Sequence, residues 1–119
     1  MRRLTFFALL LMLGCTMLTP AERPPSPEGF SFWCPGACKV QVIGDWNHWG
    51  GLVDAGGTVN PEVGRMEPVG DGNWILQVEL PRGRYRYGFL VDGVELVADP
   101  MNPERARFGD WVVSLLVVE

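Results

Sequence analysis

The chain has 119 residues, with 10 Lys or Arg against 14 Asp or Glu, for a formal net charge of −4. An acidic chain whose one lysine is Lys39 lacks the dense positive charge that nucleic acid rewards, which argues against that class of partner. His48 is the one histidine beside 3 cysteines, so a four-ligand zinc site is hard to assemble.

Arg2 and Arg3 precede a short apolar run, Leu4 to Leu13, that ends in Gly14-Cys15. A positive start and an apolar stretch well short of the ~20 residues of a membrane span read as an export signal. Its Leu-Gly-Cys ending resembles a bacterial lipobox, although Leu13 stands where a smaller residue is usual. That resemblance implies acylation of Cys15. The product would be a lipoprotein of the cell envelope, held at a membrane on its periplasmic or extracellular side. A plain cleaved signal and an uncleaved anchor are the alternatives. Without Arg2 and Arg3 the charge of −4 becomes −6. Residues 16–29 carry Pro20, Pro24, Pro25 and Pro27 and read as an extended tether. The expected organisation is a signal over 1–15, a linker over 16–29 and one small domain over 30–119.

Within that domain, Phe30 to Cys34 reads as a short strand with Phe30 and Phe32 on one face and Trp33 on the other. Cys34 and Cys38 flank Pro35-Gly36-Ala37. In an oxidising compartment such a pair is expected to close a small disulfide loop, with free thiols and a metal site as the other readings. Lys39 to Ile43 alternates and Gly44 breaks it. Asp45 to Gly51 is rich in turn residues, and Leu52 to Gly64, with three glycines and a proline, reads as a long loop. Met66 to Val69 is a short strand. Gly70 to Asn73 is a turn, and in Trp74 to Leu80 the alternate residues Trp74, Leu76, Val78 and Leu80 share a face.

The clearest pattern follows. Tyr85, Tyr87, Phe89 and Val91 alternate with Arg84, Arg86, Gly88 and Leu90, then Asp92-Gly93 separates them from Val94 to Val97. Aromatic and β-branched alternation marks a strand, and Asp-Gly tolerates the positive φ of a tight hairpin turn. Met101 to Gly109 reads as a loop. Trp111 to Val118 is a closing strand, apolar on both faces, which suits a strand covered on both sides or one lying beside the linker or a partner. Seven or so short strands and no convincing helix beyond the signal argue for an all-β antiparallel sandwich.

Four stretches in this order are GDWNHW at 44–49, GNWILQVELPRGRYRYGFLVDG at 72–93, ADPMNP at 98–103 and the closing strand at 108–118. Together they resemble the early-set, immunoglobulin-like glycogen-binding domain. That group includes carbohydrate-binding module family 48, the β subunit of AMP-activated kinase, and N-terminal domains of isoamylases and branching enzymes. The resemblance implies an immunoglobulin-like β-sandwich and a non-catalytic module for polysaccharide or oligosaccharide, α-glucan or glycogen in type, without cofactors. Trp49 matches the tryptophan that ends the family's G-x-F-N-x-W motif, where it serves as a sugar platform. Trp46 stands where a phenylalanine packs inward. The other sugar-contacting positions differ. Gly88 replaces a lysine, Val94, Glu95 and Leu96 follow the Asp-Gly turn without an aromatic, and Val112 or Val113 replaces an asparagine.

The candidate carbohydrate-binding residues are therefore Trp49, Asn47, His48 and Trp46, with a ring stacked on Trp49 and hydrogen bonds from its neighbours. Each has a plainer reading. Trp46 and Trp74 suit the core, Asn47 suits loop backbone, and His48 suits the surface. Trp33 and Trp111 are substitute platforms or edge shields. Arg84 and Arg86 suit a solvated face paired with Glu79 or Glu95. No nucleophile has a triad context, since Ser26, Ser31 and Ser114 lack an elbow, so an enzyme is not expected. The competing function is a protein-interaction or structural module of the envelope that has lost sugar binding.

Overall fold

A computed structural model describes residues 26–53 and 56–119, so Cys15 and most of the expected tether lie outside the described residues. The strands are β1 (Ser26–Trp33), β2 (Val40–Gly44), β3 (Glu67–Gly70), β4 (Asn73–Leu80), β5 (Gly83–Val91), β6 (Glu95–Val97), β7 (Arg105–Phe108) and β8 (Trp111–Val118). They form an antiparallel, immunoglobulin-like β-sandwich. One sheet, here sheet A, has the order β1-β4-β3; the other, sheet B, runs β2-β5-β8-β7, with β6 also on β5.

The expected alternation sets the core. Phe30 and Phe32 of β1 and Trp74 of β4 face Val40, Val42, Tyr87 and Phe89 of sheet B, with Met66 closing the cluster. Leu76 and Val78 pack against it. Phe32 stacks on Phe89 with centroids 4.4 Å apart, and Phe30 meets Tyr87 edge-on at 5.1 Å. Such aromatic pairs contribute beyond their buried area.

β5 is the axis of sheet B. Tyr87 pairs with Gly44 of β2 on one edge and Ser114 of β8 on the other, and Phe89 pairs with Val42 and Val97. At its end Asp92 and Gly93 take φ of 53° and 74°, and the Val94 N–H donates to the Val91 carbonyl at 3.0 Å. The hairpin turns where the dipeptide places it, but Val91 pairs with Glu95, so the loop takes in Val94, which was expected to begin the return strand. Asp92 also accepts from the Cys38 and Lys39 N–H groups at 2.7 and 3.0 Å, tying the hairpin tip to the entry of β2.

Four further expectations change. β8 is not covered on both faces, since Trp111, Val112 and Val117 are exposed. β1 begins at Ser26, inside the stretch read as tether, with Pro27 opposite Glu79. An edge strand tolerates proline because its outward N–H is not needed. β7 lies inside the stretch read as loop, where Arg105 and Arg107 are exposed and Ala106 and Phe108 half-buried. Four residues are too few for periodicity to declare itself. The expected disulfide is absent: Cys34 and Cys38 are free thiols. The turn through Gly36 (φ 89°) leaves Cys34 packed toward the core and Cys38 exposed, so the two sulfurs face different surroundings.

A buried polar knot closes the sandwich. The Tyr87 hydroxyl donates to Asp99 Oδ2 at 2.7 Å and accepts from Asn102 Nδ2 at 3.1 Å. The Asp99 N–H donates to Ser114 Oγ at 2.7 Å. Burial pushes the Tyr87 phenol well above its ordinary value of 10.0, so it stays neutral. This explains the Ala-Asp-Pro-Met-Asn stretch: it is a structural clasp between β6, β5 and β8.

Candidate functional site

The outer face of sheet B is built from β2, β5, β6, β7 and β8 and is partly covered by the segment after β2. Ile43, Trp49, Leu90 and Val113 form a second buried cluster there, with Leu52, Val59, Leu96, Ala106 and Phe108 packed against it. All of β2 is buried in consequence. Gln41 lies beneath this cover; its Nε2 donates to the Asn60 and Val63 carbonyls, both at 2.9 Å.

Asp45, at the start of a short 3₁₀ turn (Asp45–Asn47), organises the cover. Its carboxylate accepts from the Arg86 backbone N–H at 2.8 Å, from Arg86 Nε and Nη2 at 3.1 and 3.0 Å, and from Trp49 Nε1 at 3.1 Å. Burial pushes the Asp45 carboxyl up, but the hydrogen bonds and charge of Arg86, with the Trp49 N–H, outweigh it and hold it below the usual carboxylate range. The partner of Arg86 is thus Asp45, not Glu79 or Glu95, because the cover brings Asp45 onto the outer face of β5.

Three aromatic rings stack across this face. Trp49 lies on Phe108 with centroids 3.9 Å apart and planes 11° from parallel; Phe108 continues to Trp111 at 6.2 Å and 17°. The Arg86 guanidinium sits 5.7 Å from the Phe108 centroid. The inner end of the stack is closed and the outer end open: Trp49 is 2 % exposed and Trp111 50 %. Beside it run a groove of about 300 Å³ lined by Asp45, His48, Trp49, Val53, Arg86 and Phe108, and a hollow of about 200 Å³ that Leu90, Val94, Leu96 and Trp111 help to line.

The four residues expected to hold sugar are placed apart in role. Trp49 is not an open platform; its ring is covered and its N–H is used. Asn47 serves the turn, as its Oδ1 accepts from the Gly44 and Gly50 N–H groups at 2.9 and 3.2 Å and its Nδ2 donates to the Val42 carbonyl at 3.1 Å. Trp46 turns inward, stacked on Phe30 at 5.4 Å. His48 is exposed, held at φ 53°, and lines the groove. A side chain at Gly88 would meet Leu96 Cδ1 at 3.0 Å, so Leu96 occupies the space a lysine would need. Sequence reasoning missed Phe108. The signal was Phe108 and Trp111 flanking Gly109-Asp110, a two-residue hairpin in which those aromatics pair. Among the described residues no three His, Cys, Asp or Glu side chains gather to hold a metal, and no helix is long and apolar enough to cross a membrane.

No family model matches the chain. It is 34 % identical over 76 residues to the 1,4-alpha-glucan branching enzyme GlgB of Lactobacillus acidophilus, covering 60 % of this chain and 10 % of that protein. It is 34 % identical over 65 residues to the enzyme of the same name from Albidiferax ferrireducens, covering 55 % of this chain and 8 % of that protein. The chain thus spans about a tenth or less of the length of these relatives. Among solved structures, the maltogenic amylase from S. marinus superposes with a TM-score of 0.56 at 20 % identity, over 80 % of this chain and 14 % of that one, which is a likeness of fold.

Proposed function

We propose that the chain is a non-catalytic module that binds α-glucan, with a glucose ring laid on Trp111 at the open end of the Trp49–Phe108–Trp111 stack. That half-exposed, nearly parallel ring stack is the observation that carries the reading. A flat indole suits the C–H face of a pyranose, and the closed inner end holds the outer ring in place. His48 and Arg86 stand in the adjoining groove to meet hydroxyl groups. Arg86 keeps N–H donors beyond those it gives to Asp45 and the Arg107 carbonyl. Similarity to two 1,4-alpha-glucan branching enzymes supports an α-glucan as the polymer. The shared stretch is a small part of those enzymes, which fits a binding role without catalysis. In this reading an acylated Cys15 tethers the module in the cell envelope.

Gel affinity electrophoresis of the full chain through glycogen, starch and a β-glucan tests this. Glycogen and starch retard the chain, the β-glucan does not, and Trp111→Ala weakens the retardation severalfold. Free migration of the wild-type chain in every polymer, or equal retardation of wild type and Trp111→Ala, overturns it.

A further inference from the structure

Sheet A has an outer face of its own, and its composition is unusual for a solvated sheet. Outward positions on β1 and its partner β4 fall into cross-strand pairs: Trp33 with Asn73, Ser31 with Ile75 and Gly29 with Gln77. Trp33 is 65 % exposed, the most exposed of the five tryptophans. Its ring does not swing freely, because Nε1 donates to the Asp71 carbonyl at 2.9 Å. A ring already fixed gives up less rotamer freedom when a ligand covers it. Met101, 82 % exposed, stands across the same groove, which has a volume of about 390 Å³ and is also lined by Ser31 and Asn73.

The groove continues along the strands. A second hollow of about 360 Å³ shares Ser31 and runs over Gly29, Ile75 and Gln77. A methyl group built on Gly29 would meet nothing within 4 Å, so the missing side chain leaves open space above β1. From Trp33 to Gly29 the strip is roughly 13 Å long at the usual strand rise. It presents one pinned indole, two amides, one hydroxyl, the exposed Ile75 side chain and a gap, and no Lys or Arg lines either hollow. An anionic ligand finds no cationic side chain there. A neutral polyhydroxylated chain has a stacking face at one end and side chains that both donate and accept hydrogen bonds along its length.

We propose that this strip, Trp33 with Asn73, Ser31, Gly29 and Gln77, is a second glycan-binding site, on the opposite sheet from Trp111. It rests on the reading of the chain as a glucan-binding module and adds that the module is bivalent. Each site alone binds a short oligosaccharide weakly, and a polymer that reaches both is held by avidity.

Titration of the full chain with maltoheptaose, by calorimetry and by tryptophan emission, separates the cases. The expected result is two oligosaccharides per chain, falling to one in Trp33→Ala and to one in Trp111→Ala, and to none in the double variant. Gln77→Ala, an exposed change that leaves the ring in place, weakens the same site as Trp33→Ala by about threefold or more. One oligosaccharide per chain, lost in Trp111→Ala and unchanged in Trp33→Ala and Gln77→Ala, overturns the second site and leaves the module reading intact. No oligosaccharide bound to the wild-type chain removes both.

Discussion

Asp45 joins two parts of the chain that are 41 residues apart. Through one carboxylate it positions the Trp49 indole and both ends of Arg86. Its folded-state pKa lies below the unfolded value. The stability it contributes is therefore present above the ordinary carboxylate pKa near 3.9 and is lost as pH falls through the lower, folded value. Asp45→Asn replaces an acceptor oxygen with a second donor facing Arg86. We expect a loss of about 1–2 kcal/mol at neutral pH, toward the lower end because the Arg86 side chain is 42 % exposed. Urea unfolding at stepped pH reads it: the variant loses less stability than wild type on acidification below about pH 4. An unchanged acid slope would mean that Asp45 is not ionically engaged. In the sequence Asp45 was legible as the second residue of a recognised motif. Its partner was not, because strand periodicity assigns Arg86 a face and says nothing of what folds over that face.

At the scale of elements, the segment from Asp45 to Gly64 decides what the molecule shows to solvent. It returns along β2 through the Val42 N–H to the Gly64 carbonyl and the Met66 N–H to the Val40 carbonyl, at 2.8 and 2.9 Å. Gly64 has φ of 66°, and an added Cβ would lie 2.0 Å from the Val42 carbonyl oxygen. Gly64→Ala must therefore both strain its own backbone and push β2 away, at a cost of about 2 kcal/mol or more. Thermal unfolding should show a midpoint several degrees lower, whereas Gly29→Ala, with open space around it, should stay close to wild type. Similar midpoints for the two variants would refute the close approach. The alternating strands and the Asp92-Gly93 hairpin were readable because their information is local. The burial of Trp49 was not: a glycine-rich stretch looks like an exposed loop until Leu52, Val59 and Trp49 are seen to cover Ile43 and Leu90.

For the whole molecule, the sandwich class followed from strand count and turn spacing, while the choice of binding surface did not. One motif resemblance pointed at Trp49, and the fold turned that residue into the base of a stack whose open end is Trp111. Both proposed surfaces would hold a neutral ligand by stacking and hydrogen bonds, and the chain has a net charge of −4. Affinity for glycogen should therefore change less than about twofold as NaCl rises from about 0.05 to about 0.5 M, since only charge-driven association is screened over that range. A steep salt dependence in affinity electrophoresis would point to an ionic partner instead.

The distribution of indoles has an optical consequence. Trp46, Trp49 and Trp74 lie within or against the two clusters, while Trp33 and Trp111 face solvent from different sheets. The protein therefore emits as two populations, a blue one from the interior and a red one from the surface. A ligand on Trp33 or Trp111 would perturb the red one first, and the emission of Trp46 and Trp74 is an internal standard for whether the fold itself has held.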